Sequence, residues 1–225
     1  MIPRILIDTA NIPGGDELRL FQRGDDFMIV LDRNELMSSR MNGSEIALAE
    51  MTIERLAINN PKILIGGYGM GFTLRAALAK LGSDAKIRVA ELVPQIIKWA
   101  KGPMAHITNG CLDDPRVELS MGDVGNIIDD APFDGRKYDA ILLDVDNGPD
   151  GLTRQENDGL YSKTGLNAAH LALNEGGILA IWSAAPDPVF KRRLERAHFD
   201  VDEVRVTART NGKGAKHVIW FAHKK

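Results

Sequence analysis

The chain has little cysteine: Cys111 stands alone among 225 residues. No disulfide can close within it, and such usage fits a reducing compartment. Positive charge is not in excess either. The formal net charge is −3, too weak and of the wrong sign for a partner held by phosphate attraction, so no nucleic-acid partner is expected. No apolar run approaches the roughly 20 residues needed to span a bilayer, and Met1 to Ala10 holds Asp8 without the apolar core of a signal peptide. No membrane partner is expected, and the default location is cytoplasmic. His106, His170, His198 and His217 are scattered without metal-ligand spacing, so no metal site is predicted. Internal repeats, low-complexity tracts and long polar linkers are also missing.

What remains is an ordinary globular composition, with 44% apolar and 26% charged residues and length enough to bury a real core. The pattern changes near Pro61. In residues 1–60, the apolar runs Leu18 to Phe21 and Phe27 to Leu31 flank Arg23-Gly24-Asp25-Asp26 and predict a small β-hairpin. Asp32 to Gly43 is polar and predicts a loop. Ser44 is placed to cap a helix carrying Ile46, Ala49, Ile53 and Leu56 on one face. Residues 61–225 alternate apolar strands with amphipathic helices. Strands are predicted at Ile63–Ile65, Ile87–Leu92, Val117–Met121, Ala140–Val145 and Ile178–Trp182, then two more at Val201–Ala208 and His217–Phe221 joined as a hairpin. Helices are predicted at Phe72–Leu81, from Pro94 to Lys101, at Leu160–Leu173 and at Pro188–Ala197. Repeated β-α units give a doubly wound α/β fold, and the final hairpin supplies an antiparallel strand to an otherwise parallel sheet. That is the Rossmann-like, seven-stranded arrangement typical of class I methyltransferases.

The sharpest local signal is Gly66-Gly67-Tyr68-Gly69-Met70-Gly71, between a strand and a helix. Glycines let the backbone turn tightly and approach a ligand where a Cβ would clash. A dinucleotide turn wants G-x-G-x-x-G, so that a pyrophosphate can sit on the helix N-terminus. Here Phe72 stands where the third glycine would be, which disfavours a nicotinamide dehydrogenase. The tighter spacing is the one usual for S-adenosyl ligands. Glu91, followed by Leu92, ends the next strand about 20 residues on, where an acid can accept from both ribose hydroxyls. Gly122-Asp123 ends the third strand, with Asp123 placed for an adenine amino group or as a cap for the segment that begins at Val124, a further donor-site candidate. The ends of successive strands converge on one crevice in an open α/β sheet. The fourth strand runs into Asp144-Val145-Asp146-Asn147-Gly148-Pro149-Asp150. Carboxylates there attract a cationic amine, and one of them can take its proton. We assign Asp144 as candidate base and donor-site residue, and Asp146 as candidate binding carboxylate. A loop rich in turn-forming residues is the plainer alternative.

On these residues the chain resembles the spermidine synthases, the aminopropyltransferases. Ser44 to Met51 lines up with the family's D-E-F-x-Y-H-E-M segment, Lys62 to Gly71 with its glycine turn, and Asp113 to Asp123 with its D-P-R-V…G-D run. The resemblance implies that Glu91 binds the ribose and that Asp144 is the catalytic aspartate. It also exposes departures. The turn aspartate that holds the donor's amino group in the family is Gly69 here, the Tyr-His pair beside the polyamine is Leu48-Ala49, and the second aspartate of D-x-x-D is Asn147. These losses lead to the expectation of a spermidine synthase-like enzyme that transfers a methyl group from S-adenosylmethionine to a small amine. One alternative is aminopropyl transfer from decarboxylated S-adenosylmethionine to a polyamine. Another is a non-catalytic scaffold relative. The N-terminal hairpin could pair edge to edge in a homodimer.

Overall fold

The computed structural model describes residues 2–13, 15, 17–145 and 157–225. Alternation of side chains builds its main sheet. In β5 (Lys62–Gly66), Ile63 and Ile65 face one side and Leu64 the other, all fully buried. Residues of β6 (Lys86–Glu91), β8 (Tyr138–Leu143) and β9 (Leu173–Ser183) divide in the same way, so the sheet has a core on each face. Such two-sided burial is why these strands read as nearly continuous apolar runs.

With β7 (Val117–Met121), β10 (Phe199–Thr207) and β11 (Lys216–Lys224), the order across the sheet is β10-β11-β9-β8-β5-β6-β7. β5 pairs parallel with both β6 and β8, and β8 parallel with β9, while β11 lies antiparallel to β9 and β10. The fold is thus the predicted doubly wound, mostly parallel seven-stranded sheet with its C-terminal antiparallel hairpin. The chain leaves β5 toward β6 and later returns to its other side at β8. That reversal opens a crevice at the strands' carboxyl ends.

One face is covered by α1 (Gly43–Leu56), α2 (Phe72–Lys80) and α3 (Pro94–Lys101); α5 (Val124–Asp130), α7 (Lys163–Ala172) and α8 (Pro188–Arg196) contribute buried residues to the other core. Short pieces fill the connections: α4 (Ala105–Thr108), a 3₁₀ turn at Cys111–Asp113 and α6 (Asn157–Leu160). Among the described residues no helix is long and apolar enough to cross a membrane.

The N-terminal segment holds more than the expected hairpin. β2 (Glu17–Arg23) and β3 (Asp26–Leu31) are joined by the predicted turn, but β1 (Ile5–Asn11) and β4 (Asn34–Ser38) extend them into a four-stranded antiparallel sheet. β4 lies within the expected loop. Its pairing with β3 shifts between Ile29–Met37 and Val30–Glu35, leaving Leu36 as the extra residue of a bulge. A bulge breaks the period-two pattern that marks a strand in sequence. Ser44 also departs from expectation. Asn42 occupies the N-cap of α1 without a side-chain bond, and Ser44 is fully buried inside the first turn.

Candidate functional site

A cavity of about 370 Å³ opens at the reversal point between β5 and β8, roofed by β4 and the start of α1. The glycine turn forms its floor. Gly67 has φ +86°, and a Cβ there would sit 2.5 Å from the Asp144 carbonyl oxygen. We expect Gly67→Ala to destabilise the fold by at least about 1 kcal/mol, because both the left-handed φ and the backbone contact oppose a side chain. A melting temperature equal to wild type would refute this. Gly69 has φ +54°, and its Cβ position lies 2.8 Å from Met37 Sδ. Met37, from the bulged strand, therefore holds the space next to the turn.

Of the predicted site residues, Gly67, Tyr68, Gly69, Glu91, Leu92, Asp123, Val124 and Asp144 line this cavity. Gly66 and Gly71 do not line it: a Cβ on Gly66 would strike Val124, and one on Gly71 would strike Tyr68. Those two shape the turn. Asp146 lies outside the described residues, as does Asn147. Leu48 and Ala49 are completely buried core residues of α1. Cys111 packs in the 3₁₀ turn with its Sγ 3.4 Å from the Tyr68 hydroxyl.

Glu91 is held by backbone. The Tyr68 N–H donates to Oε2 at 2.9 Å and the Val93 N–H to Oε1 at 2.8 Å. Burial pushes its carboxyl above the ordinary range, against the pull of N–H groups from Val93, Tyr68, Gly69 and Leu92. The carboxyl also lines the cavity, within reach of a ligand's hydroxyl donors. Asp123 accepts from the Gly125 N–H at 2.8 Å and caps α5. Its cap role and its place on the cavity wall coexist.

Asp144 follows β8, and Thr73 Oγ1 donates to its Oδ2 at 2.8 Å. The same hydroxyl lies 3.5 Å from the backbone carbonyl oxygen of Glu45, which joins the first turn of α1 to the end of β8. Glu45 projects into the cavity near Asp144. Burial, then the neighbouring Asp144 charge, pushes Glu45 up to about 8, and burial raises Asp144 to about 6. Like charges sharing a water-poor site cannot both ionise cheaply, so the pair carries one proton near neutrality. A cation between the two relieves that repulsion. Among the described residues, no group of three or more His, Cys, Asp or Glu is placed to hold a metal ion.

Glu45 was not singled out from the sequence, nor was His217, which lines the same cavity. Glu45 had one available signal, its place in the Ser44–Met51 segment aligned with the spermidine synthases. His217 had none. Its Nδ1 lies 2.9 Å from Ser44 Oγ, a residue 173 positions away. Trp182, at the end of the fifth predicted strand, also lines the cavity, edge-on against His217 with ring centroids 4.8 Å apart.

No protein-family model matches the chain. Curated relatives do. A polyamine aminopropyltransferase of Mycobacterium tuberculosis is 26% identical over 171 residues, covering 76% of this chain and 31% of that protein. Another, from Sulfolobus acidocaldarius, is 35% identical over 91 residues, 40% of this chain and 29% of the relative. The spermidine synthase of Thermotoga maritima superposes with a TM-score of 0.74 at 20% identity, over 98% of this chain and 73% of that one. A spermidine synthase solved in complex with the transition-state analogue AdoDATO gives the same TM-score and identity, covering 98% of this chain and 72% of its own. The resemblance to the spermidine synthases holds. The structural likeness concerns the fold, and the chain spans about a third of the length of the curated relatives it matches.

These spermidine synthase relatives overturn one expectation. Methyl transfer was inferred from residues that differ at the acceptor and donor sites, yet the curated relatives are named polyamine aminopropyltransferases and the structural neighbours are spermidine synthases. Gly69 and the Leu48-Ala49 pair cannot bear the weight that expectation placed on them. Leu48 and Ala49 pack in the core, so they say nothing about an acceptor. The aminopropyl alternative fits better.

Proposed function

We propose that the chain is an alkyltransferase of the aminopropyltransferase type, with decarboxylated S-adenosylmethionine as donor and an amine of the polyamine class as acceptor. The observation that carries this reading is the Glu45–Asp144 carboxylate pair inside the cavity. Two enclosed acids that repel each other favour a cationic partner, and an amine arrives as an ammonium.

The donor supplies an electrophilic carbon on a positively charged sulfur. The chain's own residues fit such a molecule on physical grounds. Glu91 offers carboxylate lone pairs already oriented by backbone N–H groups. Leu92, Val93, Ile96 and Val124 give apolar walls for a flat base, with Asp123 at their edge. In this assignment Gly67, Tyr68 and Gly69 bring backbone close to the donor, while Gly66 and Gly71 keep the turn in shape. Asp144 draws the ammonium in and then accepts its proton, because a protonated amine has no lone pair with which to attack. Holding nucleophile and electrophile in line supplies much of the remaining acceleration.

The test is direct. Purified protein is incubated with decarboxylated S-adenosylmethionine and a panel of di- and triamines, and methylthioadenosine is followed by chromatography. Formation that depends on both donor and amine is expected. Its absence with every amine would sink the reading. Glu91→Ala is expected to weaken donor binding by calorimetry by roughly 10-fold or more, since it removes the sugar acceptor and strands the Tyr68 and Val93 N–H groups at about 1–3 kcal/mol each. Unchanged affinity would place the sugar elsewhere.

A further inference from the structure

The hydrogen bonding around Glu45 continues along the cavity wall to His217, which is half-buried there. Ser44 Oγ donates to Glu45 Oε2 at 2.7 Å and lies 2.9 Å from His217 Nδ1. Ser44 is completely buried and caps nothing, so its hydroxyl is enclosed between two titratable side chains, one on α1 and one on β11. A hydroxyl has one hydrogen to give and lone pairs to accept with. When Glu45 is ionised, Ser44 donates to Glu45 and accepts from a protonated Nδ1. When Glu45 is protonated, Glu45 donates to Ser44 and Ser44 donates to a bare Nδ1. Both arrangements satisfy all three groups. Reversing the chain of bonds carries one proton between Glu45 and the imidazole. Edge-on contact with Trp182, at an interplanar angle of 75°, fixes the ring plane that aims Nδ1 at Ser44.

We propose that Ser44 and His217 form a proton exit from the Glu45–Asp144 pair, serving an amine acceptor that must shed one proton in every turnover. The proposal rests on the amine-acceptor reading above. The ammonium docks, and the pair releases the proton it held through Ser44 to His217 and on to water. The pair then takes a proton from the ammonium. The freed lone pair forms the new N–C bond as the C–S bond breaks, leaving a neutral thioether and a secondary ammonium. The pair ends with one proton, as it began, and one proton per turnover has left by way of His217.

Among the described residues, Glu35, Glu91 and Asp123 share the cavity with Glu45 on α1, Asp144 after β8 and His217, and the β10–β11 connection brings basic residues toward the start of α1. Arg209 belongs to that connection, whose backbone packs against Gly43, and Lys216 is the strand neighbour of His217. Burial lowers the His217 value below its ordinary range, so the ring is neutral near neutrality and passes a proton onward instead of storing it. Ser44 and His217 are positioning and relay residues. Neither is assigned a bond to the substrate.

The test uses the full ligand-free chain with ¹⁵N-labelled histidine. In wild type the neutral His217 ring is expected to switch from the Nε2–H to the Nδ1–H tautomer as pH rises through the Glu45 titration. Ser44→Ala and Glu45→Gln should each abolish the switch. In the transfer assay with decarboxylated S-adenosylmethionine and putrescine, Ser44→Ala should lower kcat by about 10-fold, a part of the usual acid-base contribution, with little change in KM for the amine. A single tautomer throughout the wild-type titration, or a switch that survives Ser44→Ala, would overturn the proposal. A wild-type switch without turnover of any amine would support the exit route and count against the amine reading instead.

Discussion

Asp144→Asn is expected to slow amine-dependent methylthioadenosine formation by about 10²–10⁴-fold, the usual worth of a positioned general base. Asparagine matches aspartate in shape. Its side-chain oxygen can still accept from Thr73 Oγ1, so the link between α2 and the end of β8 survives. What is lost is the capacity to take a proton, together with the charge that draws an ammonium into the cavity. The deficit should appear in kcat as well as in KM, because deprotonation is required after binding. It should also shrink as pH rises toward the range where free amine becomes common in solution. The variant should leave donor affinity within a few-fold of wild type, which calorimetry checks independently. Turnover within a factor of about three of wild type at neutral pH would remove Asp144 from the role of base.

Where local chemistry and fold agree, the sequence could be read closely. Ile63-Leu64-Ile65 followed by glycines announces a buried strand and a tight turn. The structure places that strand in the interior of the sheet, between β8 and β6, and the turn under the cavity. Glu91 and Asp144 were legible as strand ends because largely apolar runs lead into them, and Asp123 because Val117 to Met121 alternates apolar and polar residues before Gly122. The N-terminal sheet was read only in part. β1 leaves Ile5, Leu6 and Ile7 exposed, so no alternation marks it, and the bulge at Leu36 erases the pattern of β4. Glu45 was hidden for a different reason. An acidic residue in a helix's first turn is ordinary, complementing the helix dipole. Only tertiary structure turns it toward Asp144. The Ser44–His217 contact joins the start of α1 to the last strand, and no local pattern encodes such a pairing. Met37 beside Gly69 is a similar case.

The Glu45–Asp144 pair also makes stability depend on pH in a definite direction. Both folded-state values lie above those of the unfolded chain, Glu45 at about 8 and Asp144 at about 6. The folded protein therefore binds more protons than the unfolded one across that window. Stability contributed by the pair is full below the ordinary carboxylate range and is lost as pH rises toward about 8. Glu45→Gln removes one of the two charges and keeps an acceptor for Ser44. It should raise the melting temperature of the ligand-free protein, by little near pH 5 and by several degrees near pH 8–9. The scale follows from about 1.4 kcal/mol for each tenfold change in proton affinity and roughly 2–4 °C per kcal/mol for a chain of this size. Adding putrescine should reverse the order, stabilising wild type more than Glu45→Gln at the alkaline end, because an ammonium supplies the charge that the pair lacks. Differential scanning calorimetry across the pH series, with and without the diamine, reads both effects. A Glu45→Gln melting curve that follows wild type at every pH would mean that the carboxylates do not repel, and the cation site built on them would go with it.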